Sequence, residues 1–154
     1  MFKEKPRGLL RILFRVPIYV YRFDLGRLFG YRFLMLTHRG RRTGLLRETV
    51  LEVVRYDPRT RESIVIAALG ERADWYRNIQ SSPPLEVQTG RLRYVPEYRF
   101  LSAEEAYEVW SAFERAHPFE ARLAGIILGW DYDRTESGRR DLARTIRLVA
   151  FRPS

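Results

Sequence analysis

The sequence predicts a closed or nearly closed antiparallel β-barrel, mainly β, with helices packed outside it. Three observations carry this reading. Five or six short apolar or alternating stretches recur along the chain, they are linked mostly by tight turns and only later by helices, and a strand–helix–strand rhythm is missing. The 154 residues suit a single domain over 1–154, large enough to bury most of its apolar surface.

Taken in order, residues 8–29 (GLLRILFRVPIYVYRFDLGRLF) read as an N-terminal amphipathic helix. Arg7, Arg11, Arg15 and Arg22 recur at spacings of four and seven, Leu9, Ile12, Leu13, Val16 and Val20 gather elsewhere, and Pro17 kinks or splits the element. Such a helix either covers a sheet or lies on a membrane surface. A strand is expected at about 32–38, then an arginine-rich bend, then a long strand at about 46–56. DPRTRE is a polar turn and ESIVIAAL the next strand. GERADWYRNIQSSPP holds a short helix opened by Asp74 and stopped before Pro83. LEVQTGRLRYVPEYRF alternates around a Thr89-Gly90 turn, with an irregularity at Pro96. Residues 102–145 form a helical insertion before the last strand. Ser102 and Glu105 make a capping box, FEARLAGIILG is a second helix ended by Gly129, and RRDLARTI is a third. RLVAFR closes the chain as a strand that must pair with an earlier one.

The formal charge is +9, from 28 basic and 19 acidic residues, which favours an anionic partner: nucleic acid, anionic lipid, or a phosphorylated or carboxylated small molecule. Without cysteine there are no disulfides, thiolate metal sites or thiol nucleophiles. Two histidines, His38 and His117, are too few for an ordinary zinc site. The Asp131-Tyr132-Asp133 cluster lacks a third oxygen ligand at a diagnostic spacing, so no metal is expected. No signal peptide and no apolar run of membrane-spanning length are evident. The expected location is cytoplasmic, or peripheral on the inner membrane face through residues 8–29.

The densest positive charge lies in HRGRRTGLLRET, residues 38–49, between two apolar stretches. Gly40 and Gly44 allow a tight turn with inward amides, Thr43 supplies a hydroxyl, and Arg41, Arg42 and Arg47 supply forked charged donors. The loop is neither a Walker loop nor a dinucleotide fingerprint. On its own it is equally a solvated hairpin bend with ordinary surface arginines.

A strand ending in THRGRRTG, an arginine three residues past that glycine, and the downstream run A-D-W-Y-R-N-I followed by a proline resemble the deazaflavin-dependent nitroreductase family. That family consists of split-barrel proteins related to the FMN-binding, pyridoxamine-phosphate oxidase-like flavoproteins. The resemblance covers roughly residues 8–100 and the final strand. It implies a split β-barrel, a homodimer, and a reductase that passes a hydride from reduced coenzyme F420 to a small-molecule acceptor such as a quinone, enone or nitro compound. FMN is the alternative cofactor. Carried over, Arg41, Arg42, Thr43, Gly44 and Arg47 would hold the cofactor's phosphate and acidic tail. Ala67, Ala68, Leu69 and Gly70, with Trp75, Tyr76 and Asn78, would surround the ring system. Where many members have lysine or serine after the third strand, this chain has Ala67-Ala68-Leu69, and Val50 and Val53 replace a proline and an aromatic residue. No catalytic residue is assigned; Tyr94, Tyr98, His117 or water could donate a proton. A non-catalytic binder of a flavin, haem-breakdown pigment or fatty acyl group on the same scaffold is a competing reading. Nucleic acid is not expected as a partner, because no helix-turn-helix, ribbon or single-strand-binding motif can be placed.

Overall fold

The computed structural model describes residues 30–67, 69–128, 130 and 134–154. The expected helix over 8–29, Ala68, Gly129 and the Asp131-Tyr132-Asp133 cluster lie outside the described residues. Among the described residues there are seven strands: β1 Phe33–Arg39, β2 Leu46–Asp57, β3 Glu62–Ala67, β4 Glu86–Thr89, β5 Leu92–Tyr94, β6 Pro96–Phe100 and β7 Arg147–Pro153. The helices are α1 Asp74–Ser81, α2 Ala103–Ala116, α3 Pro118–Leu128 and α4 Glu136–Thr145, with a 3-10 turn at Gly70–Arg72. All strand pairs are antiparallel, in the order β5-β4-β1-β2-β3-β7-β6. The two edge strands, β5 and β6, are joined by Val95 alone, so the sheet curls into a nearly closed barrel.

Five or six strands were expected and seven are found, because the stretch over 92–100 divides at Val95. Pro96 has no N–H to continue the β5 ladder, and the chain passes there to the other edge of the sheet, beside β7. The long β2 pairs with β1 along one part and β3 along the other. A register shift between Val53 and Arg55 marks where it bends. Val53 packs against the interior cluster, and Val54 against the exterior one.

Alternation sorts the apolar residues into two cores. Leu34 and Leu36 of β1, Val65 and Ala67 of β3, and Val149 and Phe151 of β7 point into the barrel. Ile64, Leu148 and Ala150 point outward against Ala106, Val109, Trp110 and Phe113 of α2 and Leu142 and Ala143 of α4. Burial on both faces explains why β3 and β7 read as continuous apolar runs. The capping box forms as expected: Ser102 Oγ accepts from the Glu105 N–H at 3.2 Å, and Glu105 Oε1 accepts from the Ser102 N–H at 3.2 Å. Thr135 caps α4 by accepting from the Gly138 N–H at 3.0 Å, so this helix starts earlier than RRDLARTI.

Truncating Phe151, fully buried inside the barrel, to alanine should cost about 3–5 kcal/mol. Ser102→Ala, which removes only the cap, should cost about 1 kcal/mol. Urea unfolding of the two variants checks both the magnitudes and their order.

Candidate functional site

Because β2 and β3 are antiparallel, the C-terminal end of β3 lies at the same end of the barrel as the β1–β2 bend. The approach to β4 is there too, with the Leu85 N–H donating to the Thr37 carbonyl at 2.9 Å. Helix α1 runs between the end of β3 and the start of β4, and therefore crosses this mouth. Its Trp75, Tyr76 and Ile79 join the interior core.

The bend is held by its own backbone. The Gly40 N–H donates to the Leu45 carbonyl and the Gly44 N–H to the Gly40 carbonyl, both at 2.8 Å. Gly44 has φ +71°, a conformation that glycine adopts without strain. A Cβ on Gly40 would fall 2.9 Å from Thr43 Oγ1, and that oxygen already accepts from the Leu45 N–H at 3.2 Å. Arg39 donates across the bend to the Gly44 carbonyl at 2.8 Å.

One buried amide ties the bend to α1. Asn78 Oδ1 accepts from the Arg41 N–H at 3.1 Å and from Arg41 Nη1 at 2.9 Å, while Asn78 Nδ2 lies 3.1 Å from His38 Nδ1. With Oδ1 committed twice as acceptor, Nδ2 donates to His38, which places the neutral imidazole's proton on Nε2. Arg41 Nη2 is 3.6 Å from Asp74 Oδ1. His38 is 4% exposed and faces Arg47 across the β1–β2 ladder. Its pKa is pushed down to about 4, chiefly by burial, then by the Arg47 charge, with Asp74 opposing.

Arg41, Arg42, Thr43, Gly44, Arg47 and Asn78 are thus brought together. Arg42 and Arg47 are exposed and have no ion-pair partner among the described residues. Ala67 is fully buried in the barrel wall, Leu69 is half-buried against the interior core, and Gly70 opens the 3-10 turn with φ +60°. Trp75 and Tyr76, consecutive on α1, both lie in the interior core. Tyr76 meets Phe100 edge-on, with ring centroids 5.4 Å apart. Phe100 pairs with the inward-facing Val149, yet it is 40% exposed, leaving an aromatic surface beside α1. Val53 faces inward; Val50 pairs with Met35 on the outer face.

The possible proton donors do not converge on the bend. Tyr94 Oη is buried with no hydrogen-bond partner among the described residues, and burial pushes its pKa up. The groups it interacts with, Tyr56 near the end of β2 and Arg61 in the β2–β3 turn, lie at the end of β2 away from the bend. His117 is exposed at the C-cap of α2, its N–H donating to the Phe113 carbonyl at 2.7 Å. Tyr98 packs on the interior core and against Phe100, 5.9 Å between ring centroids. His38 and Phe100 were not singled out as site residues from sequence. The available signal was the alternation that puts residues 34, 36 and 38 on one face of β1.

Protonating His38 opposes folding. The unfolded chain takes up this proton below about pH 6.5 and the folded protein only near pH 4, so the contribution is complete above 6.5 and lost as pH falls toward 4. A His38→Gln variant should therefore lose less stability than the parent between pH 7 and pH 5, measured by urea unfolding at both values.

A nearly closed antiparallel barrel, with exposed arginines at its mouth and an apolar, aromatic lining beside them, defines a flavin-type cofactor protein of the split-barrel class. Residues 18–123 match the family model described as F420H(2)-dependent quinone reductase, and the chain belongs to that family. It is an oxidoreductase that uses a flavin-type cofactor, F420 or FMN, to reduce an electron-poor acceptor. Similar solved structures agree in fold. An F420-H2 dependent reductase (FDR-A) is 20% identical with a TM-score of 0.51, over 79% of this chain and 95% of that one. A protein described as a domain-swapped dimer is 19% identical with a TM-score of 0.50, over 88% and 98%. A pyridoxamine 5'-phosphate oxidase-related, FMN binding protein from Nostoc punctiforme is 15% identical with a TM-score of 0.50, over 96% and 81%. No curated protein matches the chain. No helix among the described residues is long and apolar enough to cross a membrane.

Proposed function

We propose that this chain is an F420-dependent reductase of quinone, enone or nitro acceptors, with the cofactor's anionic tail held at the β1–β2 bend. The observation that carries the reading is the pair of exposed arginines, Arg42 and Arg47, flanking a bend whose shape is already fixed by Gly40, Thr43, Gly44 and Asn78. Forked guanidinium donors fit phosphate and carboxylate oxygens, and they remain charged at any working pH. The chemistry of the lining fits the rest of the group: half-buried Leu69 and the exposed ring of Phe100 offer apolar surface to a flat heterocycle, backed by the buried Ala67, Gly70, Trp75 and Tyr76. When bound, the reduced cofactor supplies the hydride. The chain's own residues fix position, exclude water from the apolar side and concentrate positive charge at the mouth. No protein nucleophile is needed, in keeping with a sequence free of cysteine.

Titrating F420 and FMN separately into the protein, followed by absorption, tests the cofactor. Arg42→Ala and Arg47→Ala should each weaken F420 binding by about 1.5–3 kcal/mol, roughly ten- to a hundredfold. Unchanged affinity in both variants would place the tail elsewhere and return the bend to an ordinary solvated hairpin.

The chain is further proposed to act as a homodimer in the cytoplasm, which sedimentation at dimer mass would support and a monomer mass would refute. Residues 8–29, with their arginine stripe, are the proposed point of peripheral contact with the inner membrane face. Flotation with anionic liposomes should then fall as salt is raised.

A further inference from the structure

We propose that His38 and Asn78 are positioning residues forming a proton-sensitive latch: through Arg41 they hold the β1–β2 bend in the shape that presents Arg42 and Arg47 to an anion, and only while His38 is neutral. The inference rests on reading the bend as an anion site, and assigns Asn78 and Arg41 a different part in it from direct ligation. Both acceptor positions of Asn78 Oδ1 are occupied by Arg41, and the amide nitrogen is turned toward His38. Arg41 is itself drawn toward α1 by Asp74, with its side chain 20% exposed. Arg42 and Arg47 remain outside this arrangement and exposed.

The latch has one working orientation. Were the Asn78 amide reversed, its nitrogen would face two Arg41 donors and no acceptor. His38 Nδ1 selects the correct orientation by accepting from Nδ2. A second proton on His38 would set Nδ1–H against Nδ2–H, two donors 3.1 Å apart. The amide must then turn away from Arg41 or lose its contact with the imidazole. Charges reach His38 from the surrounding elements with opposed effects. Arg47 of β2 disfavours the proton and Asp74 of α1 favours it, while Arg41 stands on the far side of the Asn78 amide. The β4 side brings Leu85 and Val87, which carry no charge.

Two measurements test the latch. In the wild-type protein without cofactor, nitrogen-15 NMR of His38 should report the Nε2–H tautomer near neutral pH. The Arg41 amide resonance should move with the His38 titration as pH is lowered. A resonance indifferent to that titration, or an Nδ1–H tautomer, overturns the proposal, and neither result depends on cofactor binding. The second measurement is F420 affinity in a double-mutant cycle. Asn78→Leu should weaken binding about tenfold, and Arg42→Ala should cost much less on the Asn78→Leu background than on wild type, since the bend no longer presents Arg42. Fully additive losses would reduce Asn78 to general support and refute the latch. Asn78→Asp sharpens the readout: its carboxylate can hold Arg41 and a protonated His38 together. The His38 titration should move upward, and affinity near pH 4, where wild-type His38 takes up its proton, should fall less, relative to pH 7, than in wild type. If the wild-type protein fails to bind F420, the cofactor reading fails while the NMR result still decides the latch.

Discussion

A single residue, Val95, connects the two edges of the sheet, and this constraint sets the shape of the whole molecule. One residue spans little more than 3 Å, so the end of β5 and the start of β6 must be neighbours. A sheet ordered β5-β4-β1-β2-β3-β7-β6 can satisfy that only by curling until its edges approach. Curling gives β3 and β7 an inner and an outer face, and both must be covered. The interior is filled by Leu34, Leu36, Val65, Val149 and Phe151, and the exterior is covered by α2 and α4. The same closure leaves a barrel end for α1 to cross, beside the β1–β2 bend. Without it, Asn78 would have no reason to lie against His38.

Most of this architecture was legible because it follows from local chemistry. The apolar run that opens FLMLTHR, the Ser102–Glu105 box and the apolar run of RLVAFR each mark an element by themselves. The division of residues 92–100 was not legible as a change of edge. A proline after alternating residues marks an interruption equally well within one edge strand, and only the pairing of Pro96 with Pro153 distinguishes the two. For the site, the glycines, threonine and arginines of the bend were evident as a group, since they are contiguous. His38 was not, because its importance depends on a partner on α1, 40 positions away in the chain. Trp75 and Tyr76 were harder still. A helix lying on a flat sheet buries one of two consecutive residues, whereas a helix crossing a barrel mouth is contacted around more of its circumference, and both enter the core.

Net charge conveys less than the disposition of individual arginines. Arg99 is shared by Glu62 and Glu105, Arg147 pairs with Glu71, Arg152 with Glu97 and Arg139 with Glu114. Such pairs near the surface contribute little to stability, but each compensates a guanidinium that would otherwise attract an anion. Arg41 is engaged in another way, by an uncharged amide and a longer contact to Asp74. The excess of +9 therefore persists at particular places, of which the β1–β2 bend is one, with Arg42 and Arg47 both exposed. At physiological salt an isolated charge is felt over only about 8 Å, so distant arginines would add little to the affinity of the anionic tail proposed to dock at the mouth. In the proposed site, selection of the anion would rest on the short-range geometry of the two guanidinium groups of Arg42 and Arg47. That geometry is only as well defined as the hydrogen bonds inside the bend and the amide that ties it to α1.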